Sequence, residues 1–80
     1  MTREEVFTKV ANVIANHFEV AADQVKDSMS IKEDLNADSI SVMEFVLELE
    51  EEFGTEISDD DAEQIQTVGA AVDYIATHLA

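Results

Sequence analysis

The sequence predicts an all-α fold, a small four-helix bundle of three longer helices and one short one. Three observations carry that prediction. The 80 residues include no proline and only two glycines, so little interrupts helix formation. Apolar residues recur every three or four positions rather than alternating. Residues suited to capping stand where those periodic stretches begin.

The first helix is predicted over 3–17. Thr2 and Glu5 form a capping-box pattern in which each side chain can satisfy an otherwise free amide at the other position. Val6, Phe7, Val10, Val13, Ile14 and Phe18 make its apolar stripe. A long connection follows, roughly 19–37, with Val20, Val25, Met29, Ile31 and Leu35 as anchors onto the core. The second helix starts at Asp38 or Ser39 and ends at Gly54. Asp38 suits the N-cap, and glycine suits the left-handed residue after a last turn. Its inner stripe is Val42, Val46, Leu49 and Phe53. Ser58 caps a short third helix over about 59–64. Thr67 caps a fourth over 68–79, with Val68, Ala71, Val72, Ile75 and Leu79 facing inward.

Residues 1–80 read as one domain, expected to be monomeric, and a chain of this size buries only about 60% of its unfolded surface. No cysteine is present, so neither a disulfide nor a thiolate metal site contributes. No apolar run approaches ~18 residues, and Met1-Thr2-Arg3-Glu4-Glu5 has no signal-peptide core. The expected location is the bacterial cytoplasm or an organelle.

Charge is more telling. Nineteen acidic residues against four basic ones give a net charge of −15. Arg3, Lys9, Lys26 and Lys32 all precede Glu33, and fourteen acidic residues with no basic one run from Glu33 onward. Nucleic acids and anionic membranes are therefore expected to be poor partners, since binding them needs cationic groups that displace counterions, and with no long apolar run no membrane insertion is expected. Basic protein surfaces are the expected partners, steered toward residues 33–63.

The second helix sharpens this. Glu44 and Glu48, and Glu48 and Glu52, are like-charge pairs four apart, each costing about 0.2–0.5 kcal/mol. Glu50, Glu51 and Glu52 crowd the negative end of the helix dipole. Charge alone leaves a solvated face and a docking surface equally open. Ser39, at the N-terminus of the same helix, favours docking. It is not a self-sufficient nucleophile: the only histidines, His17 and His78, fall at the ends of helices one and four, and no Gly-x-Ser-x-Gly elbow surrounds it.

Asp34-Leu-Asn-Ala-Asp-Ser-Ile40 resembles the Asp-Leu-Gly-Ala-Asp-Ser-Leu attachment segment of acyl carrier proteins. Glu44 with Leu49-Glu50-Glu51-Glu52-Phe53 resembles that family's second helix. Ile57, Asp59, Ala62, Glu63 and Ile65, then Thr67-Val68-Gly69-Ala70-Ala71-Val72-Asp73-Tyr74-Ile75, resemble its third and fourth. Asn36 stands where glycine is usual, and Ser41 where an acid is frequent. The resemblance implies 4′-phosphopantetheine on Ser39, attached by a phosphopantetheinyl transferase (holo-acyl-carrier-protein synthase), with Asp38 as cap and transferase contact. It implies no catalysis by the chain itself. Ile40, Met43 and Leu47 become apolar partner contacts, and Glu44, Glu50, Glu51, Asp59 and Asp60 acidic ones. The partners are fatty-acid synthesis enzymes and acyltransferases with basic docking patches. Val46, Leu49, Phe53, Ile57, Ala62, Ile65, Ala71 and Ile75 become the expected lining for a folded-back acyl chain.

The Leu-Glu-Glu-Glu-Phe block and dense acidic helix resemble the type II fatty-acid carriers most. Carriers of polyketide or D-alanyl cargo share the serine site. An acidic interaction or cation-binding module is the alternative from another class. Asp34, Asn36 and Asp38 fit the first three ligand positions of an EF-hand loop, but Ser39 stands where its glycine should be and Phe45 where its bidentate carboxylate should be, so no dedicated metal site is expected. Weak Ca²⁺ or Mg²⁺ association with Glu44/Glu48 or residues 59–61 is expected from charge relief alone.

Overall fold

Thr2 opens the first helix in extended backbone, its hydroxyl accepting the Glu5 amide at 3.1 Å while Glu5 Oε1 accepts the Thr2 amide at 3.3 Å. This is the expected capping box, and from it α1 runs Arg3–His17. The computed structural model describes residues 2–79, the Leu79 side chain excepted. Three further α-helices follow: α2 (Ser39–Phe53), α3 (Asp59–Gln64) and α4 (Val68–Leu79). Each begins at the cap its sequence offers. Asp38 Oδ1 accepts the Ser41 amide at 2.8 Å, Ser58 Oγ the Asp61 amide at 3.2 Å, and Thr67 Oγ1 the Ala70 amide at 3.1 Å. Gly54 ends α2 at φ 63°, the left-handed geometry a residue without Cβ adopts freely.

The α1 helix packs against both α2 and α4, so its stripe becomes the middle of the core. Val6, Val10, Ala11, Val13 and Ile14 are buried there, with Val46 and Leu49 from α2 and Val68, Ala71, Val72 and Ile75 from α4. Leu79, expected to face inward, has a side chain outside the described residues. Phe7, Val42 and Phe53 are only half-buried, whereas Phe45, absent from the expected stripe, is fully buried. The reason lies in the connection. Phe18 leaves α1 and lays its ring against that of Phe45, centroids 5.8 Å apart at 60°, which widens the covered face of α2.

The connection is held by backbone as well as by apolar anchors. Val25, Ile31, Leu35 and Ala37 are buried, and one 3₁₀ turn spans Ala22–Gln24. Ile31 N–H donates to the Gln66 carbonyl at 3.0 Å, Val68 N–H to Met29 O at 3.0 Å, and Gly69 N–H to Asp27 O at 2.9 Å. A Cβ on Gly69 would lie 3.1 Å from that same oxygen, so the close approach suits glycine. Arg3 ties three segments together, its Nε 2.6 Å from Asp73 of α4 and its terminal nitrogen 3.1 Å from Asp27. Asn36 takes φ 57°, the conformation asparagine tolerates in place of glycine.

Candidate functional site

Ser39 is the first residue of α2 and is exposed, immediately after the Asp38 cap. Hydrogen bonds from Ser41, the backbone amide's first, hold the Asp38 carboxyl below the ordinary carboxylate range. No described side chain hydrogen-bonds the Ser39 hydroxyl. The two histidines are occupied elsewhere: His17 Nε2 lies 3.6 Å from Glu44, and His78 Nδ1 2.8 Å from the Tyr74 carbonyl. The serine therefore has no general base and is a hydroxyl open to modification by an external one.

A groove of about 680 Å³ opens beside it, between α2, α3 and the end of the connection. Its lining is Ser30, Lys32, Glu33, Ser39, Val42, Met43, Asp59, Ala62, Glu63, Ile65 and Gln66. Of the eight residues expected to line an acyl pocket, only Ala62 and Ile65 border this groove. Val46, Leu49, Ile57, Ala71 and Ile75 are closed into the core, and Phe53 packs half-buried at its edge. Val42 and Met43 border the groove as well. They follow Ser39 by three and four residues, which puts them on the serine's own helix face, a periodicity the sequence already contained. Lys32, Ser30 and Gln66 reach the groove through the backbone link between residues 29–31 and 66–68, a tertiary pairing without a sequence signature.

The α3 wall is lightly held. Its six residues bury no side chain. Ile57 and Ile65, buried on either side, and one hydrogen bond from Tyr74 Oη to Asp61 Oδ2 at 2.9 Å secure it. Partial burial, then the Asp61 contact, raise the Tyr74 phenol above its ordinary pKa.

Along α2, Ile40, Met43 and Leu47 are 68%, 65% and 59% exposed, an outward apolar strip among exposed Glu44, Glu48 and Glu51. A second hollow of about 290 Å³ lies among His17, Glu44, Leu47, Glu48 and Glu51. Asp59 and Asp60 are exposed in the first turn of α3. Glu50 differs from the expectation of a free docking charge. It is half-buried and its Oε2 accepts the Ile57 amide at 2.9 Å, so it braces the turn leading into α3. Asp34 likewise serves the connection, accepting the Ser30 amide at 2.7 Å. Among the described residues no group of three or more His, Asp or Glu side chains is placed to hold a metal ion, and no helix is long and apolar enough to cross a membrane.

Residues 8–75 match a family model described as the phosphopantetheine attachment site. The chain is 51% identical over 78 residues to the acyl carrier protein of Lactobacillus acidophilus and 49% identical over 78 residues to that of Lactobacillus johnsonii, covering 98% of each chain in both cases. Among solved structures, an acyl carrier protein from Enterococcus faecalis superposes with a TM-score of 0.80 at 75% identity, over 96% of this chain and 98% of that one.

Proposed function

This chain belongs to the acyl carrier protein family, and from that premise we propose that it serves type II fatty-acid synthesis with Ser39 as its attachment site. It is a carrier, not an enzyme. Covalent 4′-phosphopantetheine supplies a terminal thiol on which acyl groups travel as thioesters, chemistry that a cysteine-free chain cannot perform alone. The observation that carries the site assignment is the exposed, unpartnered Ser39 hydroxyl at the head of α2, opening onto the groove. Those residues fit the group: a free primary hydroxyl for the phosphodiester, and a partly apolar channel beside it.

The chain's own residues then divide the work. Asp38 fixes the first turn of α2 and so the direction of the Ser39 side chain, and offers a carboxylate to basic groups of the transferase. Ile40, Met43 and Leu47 supply apolar contact, with Glu44, Glu51, Asp59 and Asp60 around them to attract and orient basic partner surfaces. Glu50 supports that surface from behind rather than meeting a partner. Val42, Met43, Ala62 and Ile65 shelter the proximal part of the cargo, and the closed core residues behind them receive it only if α3 moves outward.

Intact-protein mass tests this directly, after incubation with coenzyme A, Mg²⁺ and a broad-specificity phosphopantetheinyl transferase. Wild type is expected to gain a single phosphopantetheine, and Ser39→Ala none. A folded, unmodified wild type that gains nothing refutes the reading.

A further inference from the structure

We infer that Lys32 is the positioning residue that holds the phosphodiester on Ser39 at the mouth of the groove, an inference that rests on the carrier reading above. Lys32 borders the same groove as Ser39 and is, among the described residues, the only cationic side chain on its lining, which also includes Glu33, Asp59 and Glu63. The described residues show no ion pair between Lys32 and any of these carboxylates. Its backbone is fixed. Ile31 beside it is buried and bonded to Gln66, and the turn behind it is closed by Ser30 and Asp34.

The electrostatics at Ser39 call for such a group. A helix N-terminus ordinarily receives an anion through its free amides. Here the Ser41 amide is already taken by Asp38, an anion directly beside the serine. A phosphodiester therefore adds negative charge to a rim that already carries carboxylates, with its local hydrogen-bond supply reduced. Arg3 is committed to Asp27 and Asp73, and Lys9 and Lys26 do not reach the groove. Lys32 is the remaining counter-charge, carried on a stem long enough to follow the phosphate. Held there, the phosphodiester starts its arm along the groove, toward Val42 and Met43, instead of out into solvent.

The alternative role for Lys32, simple balance of the groove carboxylates, makes a different prediction for the loaded protein. The experiment loads wild type, Lys32→Gln, Lys32→Arg and Lys26→Gln, confirms each by intact mass, and records the ³¹P spectrum with the Lys32 ammonium ¹H–¹⁵N signal. Loading is expected to shift the Lys32 ammonium resonance and slow its exchange with solvent. Lys32→Gln moves and narrows the ³¹P resonance, Lys32→Arg restores it, and Lys26→Gln, with the same change in net charge, leaves it in place. An ammonium signal indifferent to loading, or equal ³¹P changes in the two glutamine variants, overturns the inference while leaving the carrier reading intact. A wild type that gains no mass sinks both at the first step.

Discussion

Phe45 offers the most demanding test of how the core holds the functional helix in place. Its side chain is fully buried, and its ring meets that of Phe18 at 5.8 Å in a tilted arrangement. Truncating a buried phenylalanine to alanine costs about 3–5 kcal/mol. A chain of 80 residues has about 4–12 kcal/mol in total. Phe45→Ala should therefore leave the protein at or near the edge of unfolding at ambient temperature. Phe45→Leu is the more informative change, because leucine keeps most of the apolar contact and loses the ring pair. Aromatic pairs contribute about 0.5–1.5 kcal/mol beyond their buried area. With a modest packing loss added, Phe45→Leu should cost roughly 1–2 kcal/mol and lower Tm by about 5–15 °C. Urea titration followed by circular dichroism measures each variant, and a double-mutant cycle with Phe18→Leu isolates the ring term. Ile40→Ala, exposed on the same helix, serves as control and should stay within about 0.5 kcal/mol of wild type. A Phe45→Leu variant as stable as that control, or a cycle with no coupling, would refute the claim that Phe18 and Phe45 fasten α2 to the rest of the bundle.

Three further outcomes are expected. The Asp38 carboxyl titrates below its unfolded value, so its capping contribution is present at neutral pH and above the ordinary carboxylate pKa, and is lost as pH falls through the depressed one. The stability difference between wild type and Asp38→Ala, read by thermal melts from pH 7 downward, should shrink across that acid range, and a difference independent of pH would contradict the cap. Glu50→Ala strands the Ile57 amide and should cost about 1–3 kcal/mol with faster hydrogen exchange at Ile57, whereas Glu50→Gln, which keeps an acceptor, should lose less. Equal stability in both variants would return Glu50 to the set of free docking charges. Tyr74→Phe removes the hydroxyl bonded to Asp61, so amide exchange across 59–64 should quicken while α1 stays protected; unchanged exchange in α3 would show that its flanking isoleucines suffice.

The helices were legible because each carries its own local chemistry. Thr2, Asp38, Ser58 and Thr67 cap where a short polar side chain precedes an apolar period, and Gly54 stops α2 where a left-handed residue is required. Ser39 was legible through the resemblance of residues 34–40 to an attachment segment, since a serine in a first helical turn otherwise reads as a cap. Two things were not legible. Phe45, three after Val42 and four before Leu49, falls within the helical period although the expected stripe omits it, and what the sequence does not show is that the Phe18 ring covers it, which depends on the path of the connection. Glu50 looks like one more acid in a run of acids until the Ile57 amide comes within 2.9 Å, a contact made by the fold rather than by helical spacing. The open groove was not legible either. Inward periodicity finds the closed core, whereas the groove lies along its edge, at the half-buried Val42 and exposed Met43.

These placements account for how one helix can satisfy opposed demands. The inner side of α2 holds Phe45, Val46 and Leu49 fully within the core, while its outer side leaves Ile40, Met43 and Leu47 in water among glutamates that repel one another. Both exposures work against stability taken alone, since like charges four apart cost free energy and exposed aliphatic surface gains none. The α1 helix offsets them by packing against α2 and α4 together, and Arg3 anchors its start to the connection and to α4. The α3 helix buries no residue fully, packs on the core through half-buried Ala62, and is bonded to α4 by the Tyr74 hydroxyl on Asp61. The fewest packing restraints thus fall on the α3 wall of the groove, while the helix that carries Ser39 and the exposed apolar strip is packed into the core along its other side. A carrier needs that division: a fixed surface for successive enzymes to recognise, and one yielding wall through which cargo of changing length can be sheltered and released.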